Sequence, residues 1–201
     1  MSQEIQEIVD IMKGRHGRDI SCYHESFLAK CLQNRVLAAG SQDAQAYGRH
    51  LAQSPAEGQA LWRSLQNTYS QFFRNPLTFA TLEQLVLPGL LQEMDAAGRP
   101  EIRIWSAACA AGQEAYSVAI LLEELTVAQG RGPCYRIFAT DIDEAQLEAG
   151  RRGLYDQAAL QKVRCQHLRD YFLPQGPLHQ VVPRLRERVD FSFYDLLDER
   201  L

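Results

Sequence analysis

The 201-residue sequence has no apolar run approaching the roughly 18 residues that a membrane-spanning helix needs. Its longest clean stretch, Val118-Ala119-Ile120-Leu121-Leu122, is followed at once by Glu123 and Glu124. There is no C-x-x-C pair among Cys22, Cys31, Cys109, Cys134 and Cys165, and the odd count argues against a disulfide framework. With no cleavable signal ahead of them, reduced thiols in a cytoplasmic protein are expected. His16, His24, His50, His167 and His179 lack metal-ligand spacing, so no metal site is expected. No Ser/His/Asp or Cys/His arrangement for nucleophilic catalysis stands out, and Cys109 reads as a small packing residue. A broad polybasic surface is also missing. The net charge is −4, with 21 Lys+Arg against 25 Asp+Glu, which disfavours nonspecific nucleic-acid binding. Repeats and low-complexity segments are absent. What is present is an ordinary globular composition, 46% hydrophobic and 23% charged, enough for one or two domains with real cores.

The first 75 residues read as a helical domain. Ile5, Ile8, Val9 and Met12 follow the spacing of one helix face, and Gly14 and Gly17 end it. A second helix is expected over Glu25 to Ala38, with Leu28, Cys31, Leu32 and Val36 inward. Ser41 or Asp43 is placed to cap a third helix through Tyr47 and Leu51. Ser54-Pro55 then opens a fourth that buries Leu61, Trp62 and Leu65. Residues 76–100 read as a helical linker with Phe79, Leu82, Leu85 and Val86 as its apolar positions.

From Glu101 the pattern changes to α/β. Ile102-Arg103-Ile104-Trp105 is a strand, Ser106 to Gly112 a turn of small residues, and Gln113 to Val127 a helix. A second strand, Tyr135 to Thr140, ends at Asp141, and a short helix follows from Glu144. Val189 to Phe193 alternates as a third strand, and His179 to Val182 suggests a small antiparallel excursion. Strand, tight turn, helix and strand form a βαβ unit with a parallel sheet.

Such a turn is a place for a nucleotide-like ligand, because small side chains let the backbone approach and the helix N-terminus offers free N–H groups. Asp141 stands where an acid can accept both hydroxyls of a ribose. It stands equally where it could cap the next helix together with Asp143. Gly112 is the one glycine of the turn, so the G-x-G-x-x-G of a dinucleotide site is missing and an NAD-type oxidoreductase is disfavoured. A cofactor without phosphates, such as S-adenosylmethionine, suits the turn better. Phe72-Phe73-Arg74 is the second singular feature. It reads as packing plus a surface charge, or as an Arg projected to hold a carboxylate.

Together these segments resemble the chemotaxis receptor methyltransferases, the CheR family, over nearly the whole chain. Ser70-Gln71-Phe72-Phe73-Arg74 is similar to the family's T-x-F-F-R. Ile104 to Ser117 is similar to its I-W-S-A-G/A-C-S-x-G-E-E-P-Y-S, and Ala139-Thr140-Asp141-Ile142-Asp143 to its A-T-D-I-D. Gly153-Leu154-Tyr155, Asp170-Tyr171-Phe172, Val189-Asp190-Phe191 and Asp195-Leu196-Leu197 match later landmarks in order.

The resemblance implies an N-terminal helical domain, a linker, and a Rossmann-like S-adenosylmethionine-dependent methyltransferase domain over 101–201. A small β-subdomain is expected near 173–190. It implies a cytoplasmic protein-glutamate O-methyltransferase acting on the helical bundle of chemoreceptors, with S-adenosyl-L-homocysteine as product. By position, Arg74 holds the incoming carboxylate or the methionine end of the cofactor. Thr68, Ser70, Ala107, Gln113, Asp141, Asp195 and Leu196 line the cofactor. A basic face of Lys30, Arg35, Arg49 and Arg63 engages an acidic receptor.

Thr68, Ser70, Gln113, Ala115 and Asp195 depart from the commonest residues of the family. Gln113 keeps an acceptor but loses a charge, so weaker cofactor binding is expected. The family continues past the third strand with an F-x-x-I-F-C-R-N-V-L-I-Y-F-like run. The chain is therefore expected to be truncated, with an exposed sheet open to self-association. A noncatalytic module that keeps the pocket and docks signalling proteins is the alternative function.

Overall fold

The structure, a computed structural model, describes residues 1–65 and 70–197. The chain divides into two compact units, Met1–Asn67 and Thr68–Leu201.

The described part of the first unit is helical: α1 (Gln3–His16), α2 (Glu25–Ala38), α3 (Ala44–Gln53) and α4 (Pro55–Leu65). Side chains satisfy the orphan N–H groups at the helix starts. Asp43 accepts from Ala46 N at 2.6 Å, and Ser54 Oγ from Glu57 N at 3.2 Å. Gly17, at φ 64°, returns the end of α1 to Met12 O. The core contains Ile5, Ile8, Val9, Met12, Leu28, Tyr47, Leu51, Leu61 and Leu65, whose burial supplies about 1.5–3 kcal/mol per large side chain.

Arg35 is not part of a solvated basic face. Its Nε and Nη2 donate to the buried Glu57 at 2.8–3.0 Å, and Tyr47 Oη donates to the same carboxylate at 2.8 Å. Burial pushes the Glu57 carboxyl upward, but the hydrogen bonds from Arg35 and Tyr47 outweigh it and leave it below the usual carboxylate range. A carboxylate taken out of water needs such partners, which is why Arg35 turns inward. Lys30, Arg49 and Arg63 remain exposed.

The second unit begins, in its described helical part, with α5 (Pro76–Thr81), a π-turn (Leu82–Val86) and α6 (Leu87–Ala96). The expected phase fails here. Leu85 and Val86 are exposed, while Phe79, Leu87, Leu91 and Met94 are buried in the core of this unit. Pro88 is the physical reason. It has no N–H for residue 84, and its ring would crowd that carbonyl in a regular α-helix. Leu87 N donates five residues back to Leu82 O, and the wider turn rotates the inward face forward.

Strands β1 (Ile102–Ala107) and β2 (Tyr135–Asp141) pair in parallel, joined through α7 (Gln113–Ala128). Helix α8 (Glu144–Arg152) follows β2. A three-stranded antiparallel sheet comes next, from β3 (Leu154–Asp156), β4 (Phe172–Gln175) and β5 (Leu178–Val181), with α9 (Cys165–Tyr171) before β4 and α10 (Pro183–Arg186) after β5. β6 (Val189–Phe193) then returns to β2, giving the parallel order β1-β2-β6.

The small sheet therefore takes residues 154–156 and 172–181 rather than 173–190. The segment after it is partly helical and partly the third parallel strand. Gly176, at φ 62°, makes the hairpin turn between β4 and β5.

One face of the parallel sheet buries Tyr135, Ile137, Ala139 and Val189. On its opposite face Trp105 and Phe138 are exposed and Arg136 holds Asp190 bidentately at 2.6 and 2.9 Å.

Candidate cofactor and active site

The site forms at the carboxyl ends of β1, β2 and β6, where parallel sheets take their ligands. Ala107 ends β1, in register with Thr140 of β2. Beyond it the chain must turn sharply before α7. Ala108 (φ 54°), Ala110 (φ 47°) and Gly112 (φ 83°) all adopt left-handed conformations to do so. Each left-handed alanine costs about 1–2 kcal/mol, so the surrounding contacts must hold the loop in place.

Those contacts are specific. Cys109 N donates to Thr140 O at 2.9 Å, and Ala110 N to Asp141 Oδ2 at 2.8 Å. Asp141 Oδ1 accepts from Asp143 N at 2.9 Å. Tyr155 Oη donates to Ala111 O at 2.6 Å. The Cys109 thiol is buried and pushed up to about 12 by that burial and by the charge of Asp141, a packing residue rather than a nucleophile.

Asp143 caps α8, accepting from Ala145 N at 2.9 Å and Gln146 N at 3.3 Å. Asp141 instead ties the β1 loop to the end of β2. Each of its oxygens takes one backbone N–H and keeps a further lone pair.

Gln113 opens α7 beside the loop. Its Oε1 is buried and has no hydrogen-bond partner among the described residues. A buried acceptor without a donor costs about 1–3 kcal/mol, so this atom is suited to receive a donor from a ligand. Beside it Glu114 accepts from Ser106 Oγ at 2.9 Å.

Phe72, Phe73 and Arg74 reach the same region from upstream. Phe72 is fully buried, edge-on to Tyr155 and Phe172 with centroids at 4.9 and 5.4 Å. Phe73 N donates to Ser117 Oγ at 3.1 Å, and Ser117 in turn donates to Gln113 O at 2.7 Å. Arg74 follows, exposed, one residue beyond this tie to α7. Ser70 is half-buried at the start of the segment, and Thr68 lies outside the described residues.

Past β6, Tyr194 N donates to Asp141 O at 3.1 Å, which brings the last described residues to the same sheet end. Asp195 Oδ1 accepts from Leu197 N at 2.9 Å, and Leu196 is exposed.

Sequence reasoning did not single out Ser117 or the hydroxyl of Tyr155. The signal at Tyr155 was a landmark match, whereas its hydrogen bond joins residues 44 apart in the chain. Among the described residues no group of three or more His, Cys, Asp or Glu is placed to hold a metal ion, and no helix is long and apolar enough to cross a membrane.

A glycine-poor turn between parallel strands, an acid at the end of the second strand and a buried acceptor on the helix without a partner among the described residues meet at one end of an α/β sheet. Residues 68–201 match the family model described as CheR methyltransferase, SAM binding domain. The chain belongs to the CheR methyltransferase family, and the cofactor of its methyltransferase domain is S-adenosyl-L-methionine. It is 31% identical over 205 residues to the chemotaxis protein methyltransferase of Salmonella typhimurium, covering 97% of this chain and 66% of that protein. The chemotaxis protein methyltransferase of Escherichia coli is 32% identical over 207 residues, 98% of this chain and 65% of its own length. An uncharacterized 104.1 kDa protein of Rhodobacter capsulatus is 26% identical over 198 residues, of which this chain spans 21%. The chain thus spans less than two thirds of the length of these three relatives.

Proposed function

We propose that the protein transfers a methyl group from S-adenosyl-L-methionine to glutamate side chains on the cytoplasmic helical bundle of chemoreceptors. The observation that carries this reading is the buried Oε1 of Gln113, without a partner among the described residues, beside the strained loop that Asp141 holds.

Asp141 would accept from the ribose through its remaining lone pairs, and Gln113 Oε1 from the amino end of the cofactor. Ala107 would form the floor, and Asp195 and Leu196 would border the adenine. Ser70 would complete the wall from upstream. The cofactor supplies a methyl group made electrophilic by a sulfonium.

Arg74 would hold a carboxylate, that at the methionine end of the cofactor or that of the incoming glutamate. A glutamate is ionised near neutral pH, with an ordinary value of about 4.3, so no general base is required. The protein's contribution is orientation and exclusion of water. The helical segment at the N-terminus would dock an acidic receptor through Lys30, Arg49 and Arg63.

A second reading, binding without turnover, is favoured by one feature: an amide stands at Gln113 where the family resemblance implies a carboxylate. Titration with S-adenosyl-L-homocysteine by calorimetry tests the pocket. Binding should be lost in Asp141→Ala and weakened in Gln113→Ala. Mass spectrometry of a chemoreceptor cytoplasmic fragment, incubated with the full-length protein and cofactor, tests the substrate. Methyl-ester adducts confined to glutamates are expected. Tight binding with no adduct would favour the second reading, and no binding by a folded chain would refute both.

A further inference from the structure

Phe73 is held in an unusual way. Its φ of 50° is one that a non-glycine residue leaves unless its surroundings enforce it. Its N–H is fixed by Ser117, which accounts for the backbone on one side. Its ring lies on Phe79 edge-on at 5.3 Å and over the ring of His167 at 5.4 Å, inclined by 34°. His167 is 2% exposed, far more buried than a histidine on the surface of a short helix needs to be.

The imidazole meets Glu124 of α7 through Nε2, at 3.1 Å. The carboxylate can only accept, so Nε2 carries the hydrogen. Nδ1 is buried with no hydrogen-bond partner among the described residues. One nitrogen is therefore anchored and the other is a buried polar atom with no partner among the described residues, a cost that a phenylalanine in the same place would not carry. Tyr171 closes the far side, edge-on at 6.0 Å. Glu124 and Ser117 both belong to α7, so the same helix grips Phe73 twice: by its backbone directly and by its ring through His167.

We propose that His167 is a positioning residue for Arg74, acting through the ring of Phe73, and that Glu124 fixes its orientation. The link to Arg74's task rests on the function proposed above, whereas the link to the conformation of Phe73 does not. Two measurements separate them.

The first is amide hydrogen exchange of the full chain. In Glu124→Ala the imidazole loses its anchor. In His167→Gln the ring beneath Phe73 is gone while a donor remains. Both variants should speed exchange at the Phe73 and Arg74 amides about ten-fold, with β2 amides unchanged and Glu124→Gln close to wild type. Unchanged rates at residues 73 and 74 in both variants would overturn the proposal, whatever the protein binds.

The second is a double-mutant cycle on S-adenosyl-L-homocysteine affinity, crossing Glu124→Ala with Arg74→Ala. Glu124→Ala should weaken binding about five-fold in the wild-type background and less than about two-fold once Arg74 is removed. Equal losses in both backgrounds would show that Glu124 does not act through Arg74 and overturn that link. If the unmodified chain did not bind the probe at all, the proposed function would fail, while the exchange data would still decide the positioning of Phe73.

Discussion

Gly112→Ala is the substitution whose cost the structure defines most closely. Gly112 precedes α7 at φ 83°, a conformation that costs a residue with a Cβ about 1–2 kcal/mol. A Cβ there would stand 2.6 Å from Phe191 Cζ and 2.7 Å from Cε1, inside any real carbon–carbon contact. Phe191 cannot retreat freely, because the same ring edge would meet a Cβ on Gly150 at 2.4 Å, so the ring is wedged between two glycines. Overpacking of that kind costs about 1–3 kcal/mol, and the two terms together give about 2–5 kcal/mol.

Gly150→Ala is the internal control. It meets the same ring, but it lies in α8, where alanine gains about 1 kcal/mol of helix propensity over glycine. Its net cost should be about 0–2 kcal/mol. Urea unfolding at constant slope would measure both. Adding Phe191→Leu should relieve the ring clash in each case. It should leave Gly112→Ala still about 1–2 kcal/mol worse than the Phe191→Leu parent, the residue of its backbone strain. The reasoning fails if Gly112→Ala is no more damaging than Gly150→Ala, or if Phe191→Leu rescues it completely.

Other expectations follow from single contacts. The carboxyl of Glu57 is depressed on folding, so its contribution to stability is present above its unfolded value and is lost as pH falls through the lower folded value. Wild type should exceed Glu57→Gln most near neutrality, by about 3 kcal/mol, with the gap closing below about pH 4 in acid-unfolding curves. The π-turn predicts an inverted pattern across its junction with α6. Leu87→Ala should cost about 2–5 kcal/mol, whereas Leu85→Ala should stay within about 0.5 kcal/mol by thermal denaturation, the reverse of what a continuous α-helix would give.

The helices of the first unit were legible because each element shows its inward face at the 3.6-residue period and opens on a capping side chain. Asp43 and Ser54 are plain cases. The parallel strands were legible for a different reason. Small residues after Trp105 and an acid after Thr140 mark where strands end and a ligand site begins. What escaped were features carried by one partner far away in sequence. Arg35 sits on a helix face that reads as solvated until Glu57, 22 residues on, claims it. Leu85 has the right spacing for burial, and one proline three residues later shifts the phase. The left-handed backbone at Phe73 and the tie to Ser117 have no local signature, since neither residue type announces the other. The small sheet was placed too late because its first strand, only three residues long, is recognisable by its pairing with β5 and not by its own composition.

The two tryptophans of the sequence fall one to each unit. Trp62 is half-buried against the helical core beneath the Arg18 guanidinium, whose carbon lies 4.8 Å from the ring. Trp105 stands 56% exposed on the open side of the parallel sheet, its indole N–H held by Thr140 Oγ1 at 2.9 Å. Their intrinsic fluorescence therefore carries two separable colours. Acrylamide should quench Trp105 more readily than Trp62. Anything that covers the open sheet should shift the emission of Trp105 to the blue and leave that of Trp62 in place. Replacing either one by phenylalanine gives a chain whose remaining indole watches a single unit melt.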